Sequence, residues 1–149
     1  MTRNLVSLLV ASLALLPLAC VESTNPGTAN FLAYQVPGCG AGLGKVSADS
    51  CFSYRFGDVL IADFCAGGNC CPDSNRFLIE AEVAHDTVFV TIADTARHLC
   101  RCTCSYLLHV ELADLHLPSY VFVCQRQDYS SRYILYCERV YRGAPASRL

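Results

Sequence analysis

The sequence predicts an all-β protein, an antiparallel, immunoglobulin-like β-sandwich stapled by disulfides, on three observations. Short runs that alternate apolar and polar residues recur between turn residues, and no long stretch carries a helical period. Cysteine fills 11 of 149 positions, close to the density of disulfide-built scaffolds. The N-terminus has the layout of an export signal, which sends those cysteines to an oxidising space.

Met1-Thr2-Arg3-Asn4 carries one positive charge, and Leu5 to Leu18 is almost wholly apolar. That run is too short to stay in a bilayer as a spanning helix, and small Ala19 follows it, so residues 1–19 are expected to be a signal peptide. Leu15-Leu16-Pro17-Leu18-Ala19-Cys20 resembles a bacterial lipobox, in which the chain is cut before a cysteine that carries diacylglycerol. Pro17 departs from the leucine usual at its place. The resemblance implies lipidation of Cys20. Val21 lacks the aspartate associated with inner-membrane retention, which implies an outer-membrane address. Residues 20–30, polar and bearing Pro26 and Gly27, fit a flexible tether. Setting Cys20 aside from the eleven cysteines leaves ten, an even number that can close fully as disulfides.

The domain proper is expected over 31–142. Phe31 to Val36 forms a first strand that Pro37 interrupts. Gly38 to Lys45 is glycine-rich, but a phosphate loop does not fit: Cys39 stands where its first glycine belongs, and Val46 follows Lys45 where Ser or Thr would hold magnesium. The dinucleotide spacing fails as well, and the segment reads as a loop pinned by Cys39. Cys51 to Phe56 and Val59 to Phe64 flank Gly57-Asp58 as two strands, and Cys65 to Asn75 is then a loop dense in turn residues. From Arg76 to Ala84, Phe77, Ile79, Ala81 and Val83 take one face, with Arg76, Glu80 and Glu82 on the other. His85-Asp86 reverses the chain and Thr87 to Ala93 alternates again, which is a hairpin pattern.

Asp94 is a capping residue with room for one helical turn through His98. A strand through Cys100 to Leu112 places Leu108, Val110 and Leu112 inward and His109 and Glu111 outward. Leu115 to Tyr120 resembles the corner before a late strand in immunoglobulin-like domains, where a tyrosine hydroxyl pins the connecting backbone. Phe122 and Cys124 share the face of Tyr120. Gln125 to Arg132 is a polar loop, Tyr133 to Tyr141 a last strand, and 143–149 a frayed tail.

Cys100, Cys102 and Cys104 point the same way on a strand, about 6.6 Å apart and badly aimed at one another. Each needs a partner elsewhere, and Cys65, Cys70 and Cys71 are the candidates, with connectivity open. Local closure suggests Cys39–Cys51 across the glycine loop and Cys124–Cys137 across the last hairpin. The vicinal pair with Cys-x-Cys-x-Cys is also similar to metallothionein spacing. The 53% hydrophobic content nevertheless belongs to a chain with a core, so a thiolate metal site is the alternative and no metal or other cofactor is expected.

Little points to catalysis. There is no G-x-S-x-G and no H-E-x-x-H. His85, His98, His109 and His116 fall at turns or on a polar face and read as solvated, and Glu80 with Glu82 as charges that protect a sheet edge. Loss of Arg3 with the leader takes the formal charge from −2 to −3, and Lys45 is the sole lysine. No basic patch remains for a phosphate backbone, so neither nucleic acid nor nucleotide is an expected partner.

Asn69-Cys70-Cys71-Pro72-Asp73-Ser74-Asn75-Arg76-Phe77, the Asp86-Thr87-Val88 hairpin start and Cys100-x-Cys102-x-Cys104-x-Tyr106 resemble motifs of small cysteine-rich bacterial lipoproteins and secreted proteins of uncharacterised function. The resemblance spans about 65 to 124 and implies an exported β-rich domain with no catalytic residue to carry over. The expectation is a lipid-anchored envelope protein, facing the periplasm or the cell surface, that serves as a non-catalytic binding or structural module. Its anchor would be the membrane and its partner an envelope or extracellular protein. The alternative is a secreted, protease-inhibitor-like scaffold presenting the Gly38–Lys45 or Cys65–Asn75 loop.

Overall fold

A computed structural model describes residues 27–28, 30–36, 51–71, 75–98 and 100–145. The described residues form nine strands and no helix: β1 (Gly27–Thr28), β2 (Phe31–Gln35), β3 (Phe52–Phe56), β4 (Leu60–Asn69), β5 (Phe77–Ala84), β6 (Thr87–Asp94), β7 (Thr103–Leu112), β8 (Ser119–Gln127) and β9 (Arg132–Tyr141). Among them no helix is long and apolar enough to cross a membrane. Cys20 and Cys39 lie outside the described residues, as do the signal peptide and the Gly38–Lys45 loop.

Two sheets face each other, as the alternating runs predict. The first has strand order β1-β5-β6-β8-β9 and the second β2-β7-β4-β3. All pairs are antiparallel except β6 with β8, which run parallel. The exception follows from connectivity: the chain leaves β6, crosses to the second sheet as β7, and returns as β8, so it re-enters the first sheet in the same direction. Between the sheets sit Phe64, Leu60, Leu108, Leu112 and Val110 from the second, and Phe122, Ile92, Val88, Val90 and Val140 from the first, all fully buried. Phe52, Phe64, Phe122 and Tyr136 stack or tilt against one another at 5.3–6.0 Å between centroids.

Local sequence accounts for most of these elements. In the β5–β6 hairpin, His85 supplies the left-handed turn residue (φ 55°), and Phe77 to Ala84 pair with Asp94 to Thr87 without a slip. The corner before β8 is the tyrosine corner expected from the sequence: the Tyr120 hydroxyl accepts hydrogen bonds from the His116 N–H (3.0 Å) and the Leu117 N–H (3.2 Å). At that same end the Arg142 guanidinium lies 4.3 Å from the Phe56 ring and donates to the Gly57 and Leu115 carbonyls, while the Gly143 N–H reaches the Phe56 carbonyl. The start of the segment read as a frayed tail is thus tied back to the β3–β4 turn.

Four local expectations are corrected. Residues 65–69 belong to β4, paired through Asn69↔Thr103, and Gly68 lies in the sheet where Tyr106, Arg76 and Phe77 approach closely. β8 runs on to Gln127, which shortens the polar loop to 128–131; a register shift at Cys124/Gln125 absorbs the irregularity. No helical turn follows Asp94, whose carboxylate caps the Ala96 N–H at 3.1 Å but chiefly engages Arg76. Within 20–30, the segment read as a tether, Gly27 and Thr28 pair with Val83 and Glu82 on the edge of β5.

Candidate functional site

Residues 70–71, 75–76, 95–98, 100–102 and 128–131 gather at one end of the sandwich, because β4 ends beside the start of β7, β5 starts beside the end of β6, and β8 ends beside the start of β9. Two crosswise disulfides close this end. Cys70 bonds to Cys102 and Cys71 to Cys100, so the vicinal pair and two of the three alternating cysteines form rungs that continue the β4–β7 ladder beyond Asn69↔Thr103. Asn69 locks the rungs: its side-chain amide donates to the Cys100 and Cys102 carbonyls, and its oxygen accepts from the Cys71 and Cys100 N–H groups.

The other cysteines depart from the local-closure expectation. Cys51 bonds to Cys65, not to Cys39, since the β3–β4 register that pairs Phe52 with Phe64 brings Cys51 opposite Cys65 one step on. Cys65 is therefore no partner of the alternating cysteines. Cys124 is a free, buried thiol and does not bond to Cys137. The register sets Cys137 opposite Val123, and Cys124 opposite Tyr136, so Cys124 points into the core while Cys137 points away. Burial pushes the Cys124 thiol far above its ordinary range, which keeps it protonated and unreactive. Cys104 and Cys137 are disulfide-bonded as well. Cys70, Cys71, Cys100 and Cys102 are occupied as disulfides and supply no thiolate for the metal reading.

Arg76 sits behind the rungs with its side chain 0% exposed, a correction to its expected place on the polar face. It precedes β5, so the strand's alternation does not govern it, and it turns inward. Its guanidinium grips Asp94 with two nitrogens (3.2 and 2.7 Å), donates to the Tyr106 hydroxyl (2.9 Å) and to the Asn69 carbonyl, and lies 4.9 Å from the Tyr106 ring. Burial works against the cation, but the hydrogen bonds to Asp94 and Tyr106 outweigh it and hold the charge more firmly than in water. The space is closed on one side by Gly68, where an added Cβ would meet Tyr106 at 3.1 Å and Arg76 and Phe77 at 3.3 Å. Arg126 approaches from β8, donating to the Gly67 carbonyl and lying 3.7 Å from Asp94 and 3.3 Å from Asp128. Beside this network Asp94 to Arg97 and Arg126 to Tyr129 line a cleft of about 610 Å³.

A second polar cluster lies on the outer face of the second sheet. His109, read from sequence as solvated, is 13% exposed and held between two carboxylates: Nδ1 lies 2.7 Å from Asp63 and Nε2 3.0 Å from Glu111, with Tyr34 stacked at 4.7 Å. A neutral ring has one N–H and serves one carboxylate; the imidazolium serves both. Burial disfavours the charged ring, the bonds to Glu111 and Asp63 favour it more, and the pKa rises above the ordinary 6.5. The stabilisation is therefore complete below pH 6.5 and is lost as pH rises through the raised value. Replacing His109 by Gln is expected to flatten the fall in unfolding free energy between pH 6 and 9, read by urea titration. An unchanged slope would show that the cluster is not what titrates. The outward positions of His109 and Glu111 were legible from alternation; their convergence with Asp63 depends on the β4–β7 pairing.

Comparison with known proteins finds no matching family model, no matching curated protein and no matching solved structure.

Proposed function

We propose that the protein is an exported, non-catalytic binding module that presents the disulfide-closed loop end of its sandwich to an envelope or extracellular protein. The observation that carries this reading is the combination of a rigid frame and an adjoining cleft: the Asn69–Arg76–Asp94 network, two disulfides and the Thr95 bonds to the Arg76 carbonyl hold the loop bases, while exposed Arg97 and fully exposed Tyr129 stand around the cleft. Loops fixed on a stiff sheet scaffold suit recognition, and an aromatic among charged groups suits a protein surface. The inhibitor reading loses half its basis, since Cys65 to Asn69 is strand.

The lipobox resemblance would anchor this module through Cys20. The cysteine count favours release instead. With Cys124 kept as a thiol, ten of the eleven cysteines remain, and they pair evenly only if Cys20 is among them. Intact mass after alkylation in denaturant, without reduction, decides both points. A released chain beginning at Cys20 is expected to take one alkyl group, on Cys124. A diacylated chain would take two, because nine cysteines cannot all pair, and would restore the anchored reading. Alkylation throughout would overturn export itself. For the binding surface, a photo-crosslinking side chain at Tyr129 is expected to give protein adducts that the same group at Glu80 does not; equal patterns would refute it.

A further inference from the structure

Along the chain the arginines fall singly, but the fold collects them. From the row of Arg126 toward the disulfide-closed end stand Arg76, Arg97, Arg101, Arg126 and Arg132, five of the eleven cations in the chain. The acids among the described residues there are two, Asp94 and Asp128. Five charges against two leave this end at +3, whereas the chain as a whole carries −2. Two of the five arginines are compensated, Arg76 by Asp94 at 2.7 Å and Arg126 by Asp128 at 3.3 Å. Arg97 and Arg101 are exposed and have no acidic partner among the described residues. Arg132, also exposed, donates to the neutral Gln127 side chain at 3.2 Å. Three positive charges are therefore left over.

These charges stand about the cleft on fixed backbone. Arg97 lines it together with Gln127 and Tyr129, and Arg132 reaches its rim through Gln127. The chain leading to Arg97 is held because the Thr95 N–H and hydroxyl both donate to the Arg76 carbonyl (2.7 and 2.8 Å) and Asp94 caps the Ala96 N–H. Arg101 lies between Cys100 and Cys102, both disulfide-bonded, and Asn69 holds the carbonyls of both. The Asp128 N–H bonds the Ser131 carbonyl at 2.9 Å and closes the turn that presents Tyr129. Side chains on a fixed base lose less freedom when a partner orders them. Like charges gathered without counterions also raise the energy of the free protein, and an anionic partner relieves that repulsion.

We infer that the partner segment received at this end is an acidic stretch of protein, with carboxylates meeting Arg97, Arg101 and Arg132 and a side chain packed on Tyr129 in the cleft. The inference rests on the binding-module reading above and adds the chemistry of the ligand. Carboxylates spaced along a peptide fit because the arginines stand apart: Arg97 and Arg101 at two places between β6 and β7, Arg132 on β9. A phosphate is held best where several donors converge on one group. Three free cations also fall short of the roughly six to ten phosphate contacts of a duplex-binding protein. Tyr129, fully exposed beside the cleft, offers the aromatic contact that protein interfaces favour.

The test is selection of short random peptides on the full-length, disulfide-intact protein, followed by fluorescence anisotropy of the best binder. Enriched peptides are expected to carry Asp and Glu in excess, and their affinity to fall with added salt. Arg97→Gln, Arg101→Gln and Arg132→Gln should each weaken the best peptide about two- to five-fold, and the three together about tenfold or more. Arg55→Gln removes the same charge from β3, near the turn at the opposite end, and is expected to leave binding unchanged. Acidic peptides that bind all three variants as tightly as the parent protein would overturn the inference. Enriched peptides without acidic excess that still lose affinity in Tyr129→Ala would overturn it while leaving the binding end standing. Hexagalacturonate that displaces the peptide at equal charge would replace the protein segment by an acidic polysaccharide. The absence of any peptide sensitive to changes at this end would overturn both readings.

Discussion

Asp94→Ala is expected to lower the unfolding free energy by about 3–5 kcal/mol, because it strands a fully buried guanidinium. Arg76 would keep the Tyr106 hydroxyl and the Asn69 carbonyl, neither of which carries a compensating charge. Water cannot replace the carboxylate from the Gly68 side, where there is no room even for a methyl group without displacing Tyr106. Arg126, 3.7 Å from the same carboxylate, would lose its link to the network as well. A denaturant titration should show a lower midpoint at unchanged slope. A loss below about 1 kcal/mol would mean that Arg76 escapes to solvent and that the network is not the clamp described above.

The two crosswise disulfides are expected to be strongly non-additive. Each closes nearly the same loop, with separations of 32 and 29 residues. Removing both, as Cys70→Ser with Cys102→Ser and Cys71→Ser with Cys100→Ser, restores that loop's freedom to the unfolded chain and should cost about 3–4 kcal/mol. Removing one bridge leaves the other to hold the ends together, so either pair of substitutions alone should cost well under half of that. A double-mutant cycle on the two bridges measures the difference. Equal, additive losses would show that each bridge acts through native contacts instead of through the unfolded ensemble.

The legible parts of the structure are those governed by local period and local turn chemistry. Alternation from Phe77 to Ile92 placed the β5–β6 hairpin and its core face, and the spacing of Leu117, Pro118 and Tyr120 placed the corner. The all-β sandwich followed from the same signals. The parts that were not legible depend on register between distant strands. Cys124 and Cys137 lie on adjoining strands, but a displacement of one residue puts them on opposite faces. Cys51 and Cys65 meet because the ladder about Gly57-Asp58 pairs Cys51, the first residue of the strand named from sequence, with the residue just past the end of the other, a symmetry that was open to counting. Arg76 looked like one more polar residue of an alternating strand. Only the convergence of β4, β6 and β7 reveals its partners.

The parallel contact between β6 and β8 also sets the order in which the molecule can assemble. The β3–β4, β5–β6 and β8–β9 pairs are neighbours along the chain and can close within microseconds of collapse. Thr91 and Gln125, which join the parallel strands, are 34 positions apart, with β7 of the opposite sheet lying between them in the chain. Loop closure of that length precedes any gain from the central pairing, which places the chain among slow, topology-limited folders. Until then the apolar edges of β6 and β8 stay open, and the cysteines meet partners by proximity alone. An oxidase that acts before the central strands join would trap local pairs; one that acts afterwards would find the rungs already aligned.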